Sequence, residues 1–187
     1  LPFLWPDGAS PTGKADIPAE VLDGLIETKL STVDAQAFDQ GREDRSDWRA
    51  QFRGCIFRNF DVHRLKIATH TETKRLQLAI HCDACAFAGH ASFDKAAFAG
   101  IARFREAAFV GHAGFREAAF ANGAWFDKAA FAKGAWFDKA AFARAAWFND
   151  ATFAGETGFR EAVFAGHAWF DKATFAGAAW FNEAAFA

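Results

Sequence analysis

Cysteine is scarce in this chain: Cys55, Cys82 and Cys85 are the three among 187 residues. That is too few for a disulfide scaffold and fits a reducing compartment, so a cytoplasmic location is favoured. No run of 18 apolar residues occurs, so we expect no membrane span. Neither sign of charge dominates. The 21 Lys and Arg against 23 Asp and Glu leave a net charge of −2, too balanced to suggest nucleic acid or an anionic membrane as partner. Serine is confined to Ser10, Ser31, Ser46 and Ser92, and none has a His and acid arrangement that would make it a nucleophile. There is no Gly-rich phosphate loop. These absences exclude most enzyme chemistry, and we expect no catalytic residue, no cofactor and no metal. The length suits one domain, or one domain with a small cap. The chain opens on Leu1 rather than Met and closes inside a periodic pattern at Phe186-Ala187. Either end is compatible with processing or trimming.

Phenylalanine is what the chain has in excess. Nineteen of its 24 Phe, from Phe87 to Phe186, stand in a lattice of alternating six- and five-residue steps. Ala lies two residues before the Phe in seventeen of these nineteen cases, with Cys85 and Thr157 at the other two. The unit is eleven residues, as in Ala91-Ser92-Phe93-Asp94-Lys95-Ala96-Ala97-Phe98-Ala99-Gly100-Ile101. A fixed short period marks a repeat architecture, whose function is read from its surface rather than from a cleft.

Eleven residues is also the period of a right-handed helical coil, and Ala, Glu, Lys and Arg favour helix. On a helix, however, residues five apart differ by about 140° in azimuth, so the Phe would form two separated stripes. Gly recurs at 100, 111, 123, 134, 155, 166 and 177, and each would cost about 1 kcal/mol in a helix interior. In short strands, residues two apart share a face. Ala and Phe then both point inward, small beside large, and the two residues after Phe, such as Asp94-Lys95 and Arg105-Glu106, point out. The low strand propensity of Ala runs against this reading, but the Gly and the spacing favour a solenoid.

Outward charges give the coil length, because stacked strands lie about 4.8 Å apart and like charges there repel. At 22 residues per coil one outward column reads Asp94, Arg116, Asp138, Arg160, Asn182 and its neighbour Lys95, Glu117, Lys139, Glu161, Glu183. Of fourteen stacked pairs only Glu161/Glu183 is alike; at 11 residues per coil five of sixteen would be. A coil therefore has two units and four Phe-bearing sides. The extra residue of each six-residue step falls at a corner, usually beside Gly.

The small residue two before a central Phe, and units such as Phe126-Asp127-Lys128-Ala129-Ala130-Phe131, resemble the pentapeptide-repeat proteins over roughly residues 85–187. The closest form is the Phe-rich variant with Phe-x-x-Ala-x-Phe followed by five residues. The resemblance implies a right-handed four-sided β-helix. It says little about activity, since most members of this variant have none assigned. The family's usual repeat is a strict five, and the sixth residue here is expected to broaden two sides.

Earlier segments extend the pattern. Ala50-Gln51-Phe52-Arg53-Gly54 and Cys55-Ile56-Phe57-Arg58-Asn59 fit the five-residue form, and Phe60/Val62 and Leu65/Ile67 continue it. Thr69 to Lys74 reads as a loop, and Leu76, Leu78, Ile80 and Cys82 alternate as a strand. The solenoid is thus expected over 50–187, with about six coils and a height of roughly 30 Å. Residues 1–49 read as an arm and helical cap. Pro2, Pro6, Gly8 and Pro11 make the arm irregular, and Pro18 opens an amphipathic helix with Val21, Leu22, Leu25, Ile26 and Leu30. Ser31 with Asp34 suggests a capping box before a second short helix with Val33 and Phe38. Such a cap would hide the open edge of the first coil.

Candidate chemistry is sparse. Cys82-Asp83-Ala84-Cys85 after His81 has the spacing of a metal knuckle, but one Cys pair cannot close a tetrahedral zinc site. Both residues occupy inward lattice positions, so we read them as core. His90 and His112, 22 apart, fall on one corner and read as solvated. The tryptophans carry more. Trp125, Trp147 and Trp169 form one outward ladder on the 22-residue coil, and Trp136 and Trp180 lie on the opposite side with Gly158 between them. Each ring offers on the order of 150–250 Å², and a contiguous set makes a patch that monomers seldom expose. These rings either shield the strand backbone or form a docking face for a protein or sugar.

Two functions follow. The first is a non-catalytic binding or scaffold module that uses the Trp ladder to hold an unknown protein partner. The second is a self-assembling homo-oligomer, dimer or fibre, formed through the final coil at Ala184 and Phe186. A third comes with the resemblance, since some relatives mimic DNA and protect topoisomerases. That needs an acidic surface, whereas the tract from 86 onward carries ten acidic and ten basic residues.

Overall fold

Large and small inward residues alternate to build the wall of the fold. The structure, a computed structural model, describes residues 15–17, 49–51, 55–57, 60–62 and 79–187. From Phe87 to Phe164 every lattice Phe is at most 1% exposed, and the Ala two residues before are at 0%. The intervening residue of each strand faces out, as the two-residue strand period requires.

From Ala86 onward the strands are two residues long and pair in parallel with strands 22 residues away, in four sheets. The first side stacks Ala86–Phe87, Ala108–Phe109, Ala130–Phe131, Thr152–Phe153 and Thr174–Phe175. The second stacks Ala91–Ser92, Ala113–Gly114, Ala135–Trp136, Thr157–Gly158 and Ala179–Trp180. Ala97–Phe98, Ala119–Phe120, Ala141–Phe142, Val163–Phe164 and Ala185–Phe186 make the third. Ala102–Arg103, Ala124–Trp125, Ala146–Trp147 and Ala168–Trp169 make the fourth. The result is a four-sided parallel β-solenoid of about five coils.

Earlier strands extend the stacks. Ala15–Ile17 pairs with Cys55–Phe57, which pairs with Ala86–Phe87 on the first side. Phe60–Asp61 adds to the second side, and Arg49–Gln51 and Ala79–His81 add to the fourth. A piece of the N-terminal arm thus joins the sheet. The helices expected within 1–49, and the loop at Thr69 to Lys74, lie outside the described residues.

The 22-residue coil read from charge alternation is the coil observed. Phe104, Phe126 and Phe148 stack with ring centroids 5.1 and 4.9 Å apart and planes within 10°. Phe104 and Phe115, eleven apart, instead meet across the core at 5.6 Å and 78°. Stacks along the axis and edge-to-face contacts across it are both favoured ring geometries. Stacked rings such as Phe115/Phe137 and Phe142/Phe164 are parallel to within 0°. Sheets ordinarily twist, and side-chain ladders are one device that holds them flat; the parallel Phe columns are a ladder of that kind.

Corners alternate between two kinds. Where the step is five, a turn closes from the Ala N–H to the Phe C=O three residues earlier, as in Ala129 to Phe126 at 3.0 Å. The third residue of that turn is left-handed, Lys128 at φ 55° and Lys139 at φ 59°. Where the step is six, the extra residue sits at the other corner, where coils approach closely. A Cβ on Gly155 would lie 2.5 Å from the backbone carbon of Lys133, which only glycine avoids.

Candidate functional site: two tryptophan sides and the last coil

The six-residue steps place an outward residue directly before the Phe on the second and fourth sides, and tryptophan occupies that place. On the first and third sides the same place holds only Ala, Thr or Val from Ala86 onward. From Ala86 onward the Trp therefore lie on two opposite sides.

On the fourth side Trp125, Trp147 and Trp169 are in register. Trp125 meets Trp147 edge-to-face at 5.5 Å and 89°, and Trp147 stacks on Trp169 at 5.1 Å and 17°. Arg103 lies below them, its guanidinium 4.9 Å from the Trp125 ring centre, with that of Arg105 at 5.9 Å. Arg103 also pairs with Asp83 at 2.6 Å. Three buried polar atoms here have no hydrogen-bond partner: Asp83 Oδ1, Arg103 Nε and Trp125 Nε1.

On the second side Trp136 and Trp180 are separated by the rung of Gly158, yet their rings close over it to 6.2 Å at 12°. Arg116 covers Trp136 at 4.9 Å and Arg160 covers Trp180 at 4.4 Å. Gly158 does more than leave space for rings. The Asp138 carboxylate crosses the strand there and accepts the Arg160 backbone N–H at 2.9 Å. A Cβ on Gly158 would sit 2.5 Å from Asp138 Oδ1. Asp94, Gly114 and Arg116 repeat the device two coils earlier, with a 2.8 Å bond.

Trp125, Trp136, Trp147, Trp169 and Trp180 are each half-buried. Trp125 and Trp136 fold back over the corners at Gly123 and Gly134, where a Cβ would lie 2.9 Å from either ring. Stacking and shielding thus take up part of each indole. Guanidinium groups lie over Trp125, Trp136 and Trp180. The Arg partners were not singled out in the sequence. Their signal is an alternation two coils long: Gly114-Phe115-Arg116, Trp136-Phe137-Asp138, Gly158-Phe159-Arg160, Trp180-Phe181-Asn182. A small outward residue is followed by Arg, which reaches the Trp of the next coil.

The last coil is the other candidate. Ala168–Trp169, Thr174–Phe175, Ala179–Trp180 and Ala185–Phe186 stand at the ends of their sheets. Phe181 is 37% and Phe186 58% exposed, while Ala184 is half-buried. Cys82 and Cys85 are at 0% exposure. His112 accepts the Ala91 N–H through its backbone carbonyl at 2.9 Å, which sets it one coil above His90. Among the described residues no group of three or more His, Cys, Asp or Glu could hold a metal ion, and no helix is long and apolar enough to cross a membrane.

A family model described as pentapeptide repeats in nine copies matches residues 93–141 and again 137–185. The chain is a pentapeptide-repeat protein, of the Phe-rich kind. No curated protein and no solved structure matches it. Within this pentapeptide-repeat solenoid the outward charges form the pairs read from the sequence. Lys95 meets Glu117 at 3.9 Å and Lys139 meets Glu161 at 3.5 Å. These are exposed pairs, each worth well under about 1 kcal/mol; their use is in register, since a one-coil slip sets like charges together.

Proposed function

We propose that this pentapeptide-repeat protein is a non-catalytic docking module that holds a partner protein against its tryptophan sides. The observation that carries the reading is the Trp125, Trp147 and Trp169 ladder with Arg103 and Arg105 at its foot. Trp and Arg are the residues most enriched where protein interfaces concentrate their binding energy. The interior supports the same view. Phe rings 4.7–5.1 Å apart fill the core along its length, so function falls to the outside. A protein suits half-buried rings stacked on one another and covered by guanidinium groups better than a sugar, which needs an open ring face.

The test is affinity capture on the immobilised chain, comparing wild type with a Trp125→Ser, Trp147→Ser, Trp169→Ser triple variant of equal secondary structure. A protein bound near stoichiometry by wild type and lost by the variant supports the reading. Identical captured sets sink it. A second reading rests on the last coil, where Phe186 and Phe181 are the most exposed rings of the lattice. There the chain would pair with a second copy of itself. Mass in solution separates the two.

A further inference from the structure

Cys82 and Cys85 have no part in either reading, and their setting differs from every later corner. From Phe93/Ala96 to Phe181/Ala184, each tight turn joins an inward Phe to an inward Ala, closed by an N–H to C=O bond of 3.0–3.2 Å. At Cys82-Asp83-Ala84-Cys85 the two inward residues are both thiols, and the closing bond is 3.3 Å. Ala84 takes the left-handed place at φ 55°. Both cysteines have 0% exposure. A β-turn holds its first and fourth Cα within about 7 Å, and disulfides span Cα separations of roughly 4.4–6.8 Å. The turn therefore sets the pair in bonding range on the inner face of the wall. Cysteine in a lattice place otherwise held by Phe also removes a ring. Cys82 donates its backbone N–H to Arg103 C=O at 2.7 Å, directly beside Phe104.

We propose that Cys82 and Cys85 are an oxidative modification site, forming a reversible disulfide across this turn. The oxidant is a low-molecular-weight disulfide. One cysteine thiolate attacks it, giving a mixed disulfide and one released thiol. The second cysteine displaces the other half, so an S–S bond forms, two S–H bonds are lost and the oxidant becomes two thiols. Both electrons and both protons end on the released thiols. Access comes through local opening of the turn, so oxidation is slow in buffer and faster in sub-denaturing urea.

Cys55 is the competing thiol. Ile56 pairs with Ala86 and Phe57 with Phe87, so position 55 falls one coil below position 85. A bond from Cys55 to either partner is the outcome that the experiment must tell apart from the bond across the turn.

The experiment equilibrates the full chain in oxidised and reduced glutathione mixtures, quenches with acid, alkylates and maps peptides by mass. The tryptic segment from Leu76 to Lys95 holds both residues. The expected result is that this segment becomes two hydrogens lighter and unalkylated as the oxidised fraction rises, while Cys55 stays alkylated. The denaturant midpoint should differ between oxidised and reduced wild type. It should not differ in Cys85→Ala, which restores the residue of the later turns and keeps the fold. Three alkylated thiols across the whole series, or a bond linking Cys55 to either partner, would overturn the proposal. So would a midpoint shift that persists in Cys85→Ala.

Discussion

A buried Phe in this fold contacts rings above, below and across the core. Phe137 stacks on Phe115 at 4.8 Å and Phe159 at 4.9 Å, and meets Phe126 and Phe148 edge-to-face. Neighbours held in ladders cannot collapse into the space it leaves, so Phe137→Ala should cost about 3–5 kcal/mol. Ala135 is at 0% exposure, and Ala135→Leu should also destabilise, by overpacking. Urea midpoints check both; unchanged values would show that these positions do not pack as described. The corner residues make the opposite case. Lys128 is held at φ 55° with no glycine to relieve it. A left-handed L-residue costs about 1–2 kcal/mol, and glycine returns part of that gain through its freer unfolded chain. Lys128→Gly should therefore stabilise by about 0.5–1 kcal/mol, and Lys128→Val should destabilise. If both variants melt with wild type, strain at these corners is negligible.

At the scale of strands and corners, the glycines decide how coils stack. Gly155→Ala would put a methyl against the Lys133 backbone at 2.5 Å. Backbone cannot swing away as a side chain can, so the substitution should separate two coils locally and lower the midpoint. Gly158→Ala presses on the Asp138 carboxylate, a side chain, and should be milder. Equal losses in the two variants would mean that the close approach at Gly155 is soft. These corners also mark how far the sequence could be read. The period of Phe, the inward Ala and the 22-residue coil were legible, because each is a spacing and burial follows spacing in strands. The outward ladder of Trp125, Trp147 and Trp169 was legible for the same reason. Ring orientation was not. That Trp136 and Trp180 close over Gly158, and that Arg116 and Arg160 cover them, depends on side-chain torsions that no periodicity encodes. The left-handed corners were hidden too, since Lys, Glu and Asp occupy places where glycine or asparagine would have announced the turn.

From Ala86 onward, the solenoid has two opposite sides bearing Trp and Arg, two opposite sides of Ala, Thr and Val, and a last coil whose strands end their sheets among the described residues. The sides and the edge offer different kinds of contact, so they can be tested apart. In the final coil, Ala185 and Ala187 donate to Ala162 and Phe164 of the coil below at 2.9 and 3.0 Å. A strand that ends its sheet among the described residues, with Phe186 58% exposed, offers both a hydrogen-bond template and an apolar patch. A second copy placed end to end about a two-fold axis would cover both, and the closed symmetry would stop growth at a dimer. Sedimentation at micromolar concentration should then give a dimer for the full chain. Phe186→Asp should give a monomer, because a buried unpaired carboxylate at the new contact is costly. The Trp125, Trp147 and Trp169 triple variant should stay dimeric, since that ladder runs along the side and not across the end. A monomeric wild type would remove the self-association reading and leave docking alone. A dimer lost only in the Trp variant would instead make the ladder the face on which two copies meet.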